Sequence, residues 1–286
     1  MQYWVIQTLN SLALGGLLFL LSSGFSLIFG LMRIANLTHG SMFMLGAYIG
    51  VTILRYVPNL WLATLLGGLA VAILGGLLER FVLRALAGNA LGQVLLTLGI
   101  SFIVADFCLI VWGGDPIPVP TPESLRTPVF IAGIPFPSYR LAVLGIAIVT
   151  WISLYLLMER TRLGAMIRAG VDDMQMARAV GIPVSRLFTV VFCLGAALAA
   201  AGGIIGGPIM SAYPGLDADM LPLALIVVIL GGVGSLVGAF VGSFITGAIY
   251  TFGTALLPDL AYVILFLPMI FVIAFRPRGL FGRQAA

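Results

Sequence analysis

The chain has 286 residues, 61% of them hydrophobic and only 8% charged. Soluble domains carry about 25% charged residues, so this composition excludes a water-soluble domain and implies an integral membrane protein. The net charge is +4 and every basic residue is arginine; without lysine, a Walker-type phosphate loop and Schiff-base chemistry are both excluded. If ATP energy is used, another chain hydrolyses the ATP. The arginines sit at the ends of apolar runs, which gives no reason to expect a nucleic-acid partner.

A membrane span needs roughly 20 apolar residues. Charge-free runs occur at 1–32, 34–54, 56–78, 85–105, 141–158, 187–216, 220–258 and 260–275, the seventh being long enough for two elements. They predict an all-α polytopic membrane protein with about eight transmembrane helices plus a short or re-entrant helix, all in a single transmembrane domain over 1–286. Outer-membrane strands alternate over ~10 residues, a pattern these runs lack. The first run has no basic leader and outlasts a signal h-region, so no cleavable signal is expected.

Residues 24–40 read either as a cytoplasmic turn between two spans or as a discontinuous helix at mid-membrane, and the side of the N-terminus stays open. His39 is the single histidine. It reads either as a satisfied polar residue at a helix junction or as a substrate-path residue beside Asn36, Thr38 and Ser41 that faces a subunit interface. Gly40 allows a backbone turn there. No metal site is expected, since no second histidine exists and no cysteine is near. Asp106 lies in an apolar run, either as a proton or ion site or as a structural acid paired with Arg140 or a partner subunit. Cys108 and Cys193 read as small buried hydrophobes.

The proline-rich stretch at about 113–137 carries few charges and is expected outside. The stretch 159–186 holds five arginines and cannot lie in lipid, so the positive-inside rule makes it cytoplasmic. Within it Asp172 or Asp173 can cap a short helix over 174–180, with Gly181 at the left-handed C-terminal position and Pro183 stopping continuation. Met174, Met176, Ala177 and Val180 give that helix an apolar content suited to docking. A second external loop is expected at about 210–220. Beyond it 221–230 is too short for a full span and ends at Gly231-Gly-Val-Gly-Ser235, which favours a short or re-entrant helix.

Three stretches together resemble the smaller permease subunits of ABC importers for branched-chain amino acids. These are Gly30-Leu-Met-Arg-Ile-Ala-Asn-Leu-Thr-His-Gly-Ser-Met-Phe-Met-Leu-Gly-Ala-Tyr48, the 159–186 loop, and Leu230-Gly-Gly-Val-Gly-Ser-Leu-Val-Gly238 with the terminal Phe275-Arg-Pro-Arg-Gly-Leu-Phe-Gly282. The loop is similar to a family pattern Thr-x-x-Gly-x-x-x-Arg-Ala, an acidic pair, then Ala and Gly-Ile. It picks out Gly164, Arg168, Ala169, Asp172, Asp173, Ala177 and Gly181 as the coupling helix seated on an ATPase. The resemblance implies a non-catalytic chain in a bacterial or archaeal cytoplasmic (inner) membrane. Its implied partners are a second permease, taken as a different chain, two ATPase subunits that use ATP and Mg, and an external substrate-binding protein. No cofactor is implied for the chain itself. Substrates of similar permeases extend to urea, short amides and aromatic acids. The rival readings are a proton-coupled secondary carrier using Asp106 or His39, and an intramembrane hydrolase using His39 with Ser41.

Overall fold

A computed structural model describes residues 2–32, 36–131, 133–276 and 278–282. Their helices are α1 (Gln2–Met32), α2 (Thr38–Tyr56), α3 (Leu60–Phe81), α4 (Ala90–Trp112), α5 (Ser138–Arg160), α6 (Arg162–Asp172), α7 (Met174–Ala179), α8 (Val184–Met210), α9 (Leu216–Gly231), α10 (Leu236–Leu256) and α11 (Ala261–Phe275). Six of them (α1, α3, α4, α5, α8 and α10) are long and apolar enough to cross a membrane. The other three long elements account for the difference from the expected eight or so. α2 has 19 residues but carries Thr38, His39, Ser41 and Arg55, while α9 and α11 have only 16 and 15.

Small residues set the packing. α1 and α8 form the centre with α2, α3 and α10 against them. Gly46 of α2 lies on the backbone of Ala200, Gly203 of α8 lies on the backbone of Phe43 and Ala47, and Gly24 of α1 meets Gly195. In lipid no hydrophobic force separates helix from solvent, so backbone approach of this kind supplies the dispersion contact that holds helices together.

The bundle has two distinct ends. At one, Gly30 of α1 abuts Gly234, Gly170 of α6 abuts Leu31, and the backbone of Leu280 and Phe281 donates to the carbonyls of Leu230 and Gly231. At the other, Ile117 and Ala212 form a two-way bridge and Tyr139 Oη donates to Ile205 O at 2.6 Å. The proline-rich stretch there carries a hairpin that the sequence did not suggest: β1 (Pro128–Ile131) pairs antiparallel with β2 (Ile134–Pro137), Phe130 opposite Pro135. Ile134 and Phe136 turn inward from it, an alternation hidden by the prolines around it.

α9 ends where the glycines predicted, with Gly232 at φ +105° and Gly234 at φ +75°. It begins earlier than expected, at Leu216, because Pro222 sits in its second turn without breaking it. The loop expected at about 210–220 therefore narrows to 211–215.

At the α6 end, Glu79 is 1% exposed yet ionisable. Arg84 grips it through Nη2 at 2.8 Å from Oε2 and Nε at 3.2 Å from Oε1, Thr189 Oγ1 donates at 2.7 Å, and Arg84 Nη2 also donates to Ser185 O. This cluster ties α3 to the start of α8. Breaking a buried ion pair by removing one partner costs about 3–5 kcal/mol, and less here because Arg84 is about one-third exposed. Glu79→Ala is expected to cost about 2 kcal/mol and lower the unfolding temperature in detergent by several degrees; an unchanged transition would show that the cluster contributes nothing.

Candidate functional site

Two places concentrate polar chemistry in this apolar bundle: the junction where α2 and α9 begin, and the α6–α7 pair.

The junction starts from Asn36. Its Oδ1 accepts from Thr38 N at 3.1 Å and Thr38 Oγ1 at 2.6 Å, satisfying the first turn of α2. Leu37 N donates to Thr97 Oγ1 of α4 at 3.3 Å. His39 is 0% exposed; its Nε2 lies 2.9 Å from Leu21 O, and its ring packs on Phe25 with centroids 5.3 Å apart. Leu21 stands nine residues before Gly30. At 1.5 Å per residue that is roughly 13 Å from the α6 end, close to half of a ~30 Å hydrocarbon core. α1 runs unbroken to Met32, and α2 begins about that far inward from the α6 end; residues 33–35, which join them within the 24–40 stretch, lie outside the described residues.

The first turn of α9 packs against the first turn of α2. Gly40 has no side chain, and a Cβ there would press on Asp217 O and Leu221. Ser41 Oγ donates to Asp217 Oδ2 at 3.1 Å. Two helix N-termini thus meet in the middle of the bundle, the arrangement by which broken helices present polar groups at membrane depth. Asn36, Thr38, His39, Gly40 and Ser41 are brought together as the sequence suggested. They do not face a subunit interface, because α1, α4, α8 and α9 surround the start of α2 and bury all five. The exposed part of the junction is Ala218 and Asp219 on α9, with Tyr213 Oη donating to Asp219 Oδ2 at 2.7 Å. Asn36 Nδ2 and His39 Nδ1 have no partner among the described residues. Asp217 and Thr97 were missed by sequence reading, since nothing local links them to residues 36–41. Arg33 lies outside the described residues.

The α6–α7 pair is two helices where the sequence suggested one. Thr161 caps α6 by accepting from Gly164 N at 3.1 Å, and Asp173 caps α7 by accepting from Gln175 N at 2.9 Å and Met176 N at 3.0 Å. Gly181 takes φ +86°, and Ile182 N returns to Ala177 O at 3.0 Å to close the end. Gly164 is buried on the backbone of Leu157 and Met158, and Arg168 pairs with Glu159 at 3.4 Å. Both hold α6 against the end of α5, with Ala169 and Asp172 in its last turn. Ala177 departs from expectation: it is 2% exposed and packs inward, so it is unavailable to a docking partner. Met176 and Val180, at 61% and 68%, face outward instead. A six-residue helix has too few turns for periodicity to tell these faces apart. Beside this pair opens a cavity of ≈ 570 Å³ lined by Gly30, Tyr155, Glu159, Arg168, Gly234 and Arg278, among others.

Known proteins are similar over nearly the whole chain. BraD, the high-affinity branched-chain amino acid transport system permease protein of Pseudomonas aeruginosa, is 27% identical over 299 residues, covering 98% of this chain and 96% of that one. LivH, its counterpart by description in Escherichia coli K12, is 26% identical over 302 residues with the same coverage. Among solved structures, PsaBC from Streptococcus pneumoniae in complex with Fab aligns with a TM-score of 0.50 at 15% identity, covering 93% of this chain and 89% of that one, a likeness of fold alone. Residues 7–273 match the family model for the permease component of branched-chain amino acid transport systems, and the chain belongs to that family.

Proposed function

We propose that this chain is the non-catalytic permease subunit of an ATP-driven importer for branched-chain or other hydrophobic amino acids. It would pair with a second permease in a bacterial or archaeal inner membrane. Two ATPase subunits would hydrolyse ATP with Mg, and an external binding protein would deliver the substrate. The observation that carries this reading is the α6–α7 pair: a doubly capped, water-compatible element between two spans, presenting Met176 and Val180 outward. Flexible methionine surfaces suit a contact that must persist while the partner moves.

Arg160, Arg162, Arg178 and Arg186 cluster with α6–α7, and Arg276 and Arg278 share that end. The positive-inside rule makes it cytoplasmic and the hairpin end external. Gly164, Arg168, Ala169, Asp172, Asp173, Ala177 and Gly181 then build the coupling element, while Met176 and Val180 touch the ATPase. The mid-depth junction lies beside the substrate route. Asn36, Thr38, His39, Gly40 and Ser41 hold the two broken helices, and the Asp219 end is the part open to a solute. Against a proton carrier, the described hydrogen bonds lead from His39 only to Leu21 O, with no acid in relay.

The test is uptake of labelled leucine into proteoliposomes holding the full assembly. Uptake is expected to need internal ATP and the binding protein together. Uptake that proceeds without ATP, and that a protonophore abolishes, would overturn the proposal in favour of a carrier.

A further inference from the structure

α4 is apolar enough to span a membrane, yet only 17% of its most apolar window is buried by the rest of the chain. Asp106 lies on its exposed side. On a helix, residues three and four apart share a face, and the positions around Asp106 on that face are Phe102, Ile103, Leu109 and Ile110. All four are exposed, Ile103 at 68% and Ile110 at 82%. Asp106 is thus a carboxylate at the centre of an apolar surface. It stands six residues from the end of α4 at Trp112, roughly 9 Å inward along the axis, and its short side chain cannot reach the interface as an arginine or lysine would.

No hydrogen bond or ion pair reaches Asp106 among the described residues. Among the described residues the ion pairs are Glu79–Arg84, Glu123–Arg126 and Glu159–Arg168. Arg140, the partner suggested from sequence, donates instead to Asn10 Oδ1. Arg55 lies a turn beyond Thr52, which accepts from Trp112 Nε1 at 2.8 Å, and so sits past the end of α4. An ionised group facing hydrocarbon is costly, and such groups are found facing a bundle interior or a paired charge.

We infer that the α4 face centred on Asp106 is covered by the second permease of the assembly, a chain different from this one, which holds the carboxylate with a basic side chain. This rests on the proposed pairing of two permeases. The argument for a different chain is charge complementarity. The described arginines of this sequence lie at the two ends of the bundle or, like Arg140, are engaged, so among the described residues a second copy offers no free cation at that depth. It would bring only its own Asp106 if α4 met α4.

The test uses the complete assembly with Cys108→Ala and Cys193→Ala as background. Ile103→Cys or Ile110→Cys is labelled with benzophenone maleimide and irradiated in membranes, and adducts are identified by mass. An adduct with the second permease from both positions is expected. Adducts with lipid alone, or with another copy of this chain, would overturn the inference. In parallel, Asp106→Leu is expected to lower recovery of the second permease on the tagged chain at least tenfold. The isolated chain should stay monodisperse, since Asp106 makes no hydrogen bond or ion pair among the described residues. Full recovery with Asp106→Leu would also contradict the pairing. Lipid-only adducts in an assembly that still takes up substrate on ATP would sink the interface while leaving the permease reading intact. Protonophore-sensitive uptake lost in Asp106→Asn would remove both.

Discussion

Met176→Arg is expected to abolish coupled transport while the bundle stays folded. Met176 is solvent-exposed, so the arginine costs the isolated chain nothing in packing. In a docked assembly it would force a guanidinium into a contact that now takes an apolar side chain. Losing one central anchor of an interface costs on the order of 2 kcal/mol or more, about a thirtyfold drop in occupancy. Uptake should fall accordingly, with ATP hydrolysis no longer stimulated by the loaded binding protein. Val180→Arg should behave alike. Ala177→Pro should give the same transport loss by another route: proline costs about 3 kcal/mol in a helix interior and deletes the bond from Ala177 N to Asp173 O at 2.9 Å. Normal uptake with both Met176→Arg and Val180→Arg would rule out this face as the docking surface.

Gly203→Leu should prevent folding where Gly145→Leu is tolerated. Both glycines lie inside spans, but a Cβ at Gly203 runs into the backbone of Phe43 and Ala47, whereas one at Gly145 meets nothing within 4 Å. Overpacking ordinarily costs about 1–3 kcal/mol because side chains can yield; here the neighbour is the α2 backbone, so the helices must part. The expected readout is aggregation of Gly203→Leu on size-exclusion chromatography in detergent and a monodisperse peak for Gly145→Leu. Equal behaviour would mean that α2 and α8 do not depend on backbone contact.

What could be read in the sequence follows from the range of the interactions involved. Spans are local averages of hydropathy, so most were visible as charge-free runs. Caps and helix stops are local too: Asp173, Gly181 and the glycines at 231–234 act within a turn of themselves, and each works as its chemistry suggested. The polar run at Asn36–Ser41 was visible but its place in the bundle was not, because polar residues in an apolar run are equally compatible with a surface turn and with a discontinuous helix. Its depth depends on the bond from His39 to Leu21 O and on Ser41 reaching Asp217, 176 positions away. No periodicity encodes such a meeting. The inward turn of Ala177 and the burial of Glu79 were hidden for the same reason: both are decided by which neighbour arrives in space.

The most direct measurement places Met176 relative to the ATPase and to the two sides of the membrane. In the Cys108→Ala, Cys193→Ala background, Met176→Cys and Phe130→Cys are made separately in the assembled complex. Phe130 is an exposed hairpin residue at the opposite end of the bundle. Each is treated in intact cells with a membrane-impermeant maleimide, then in opened membranes with a thiol-reactive photo-cross-linker. Position 176 should be protected from the external reagent and give an adduct with the ATPase subunit, while position 130 should be labelled from outside and give none. External labelling at 176 together with an ATPase adduct at 130 would contradict both the orientation and the coupling role of α6–α7.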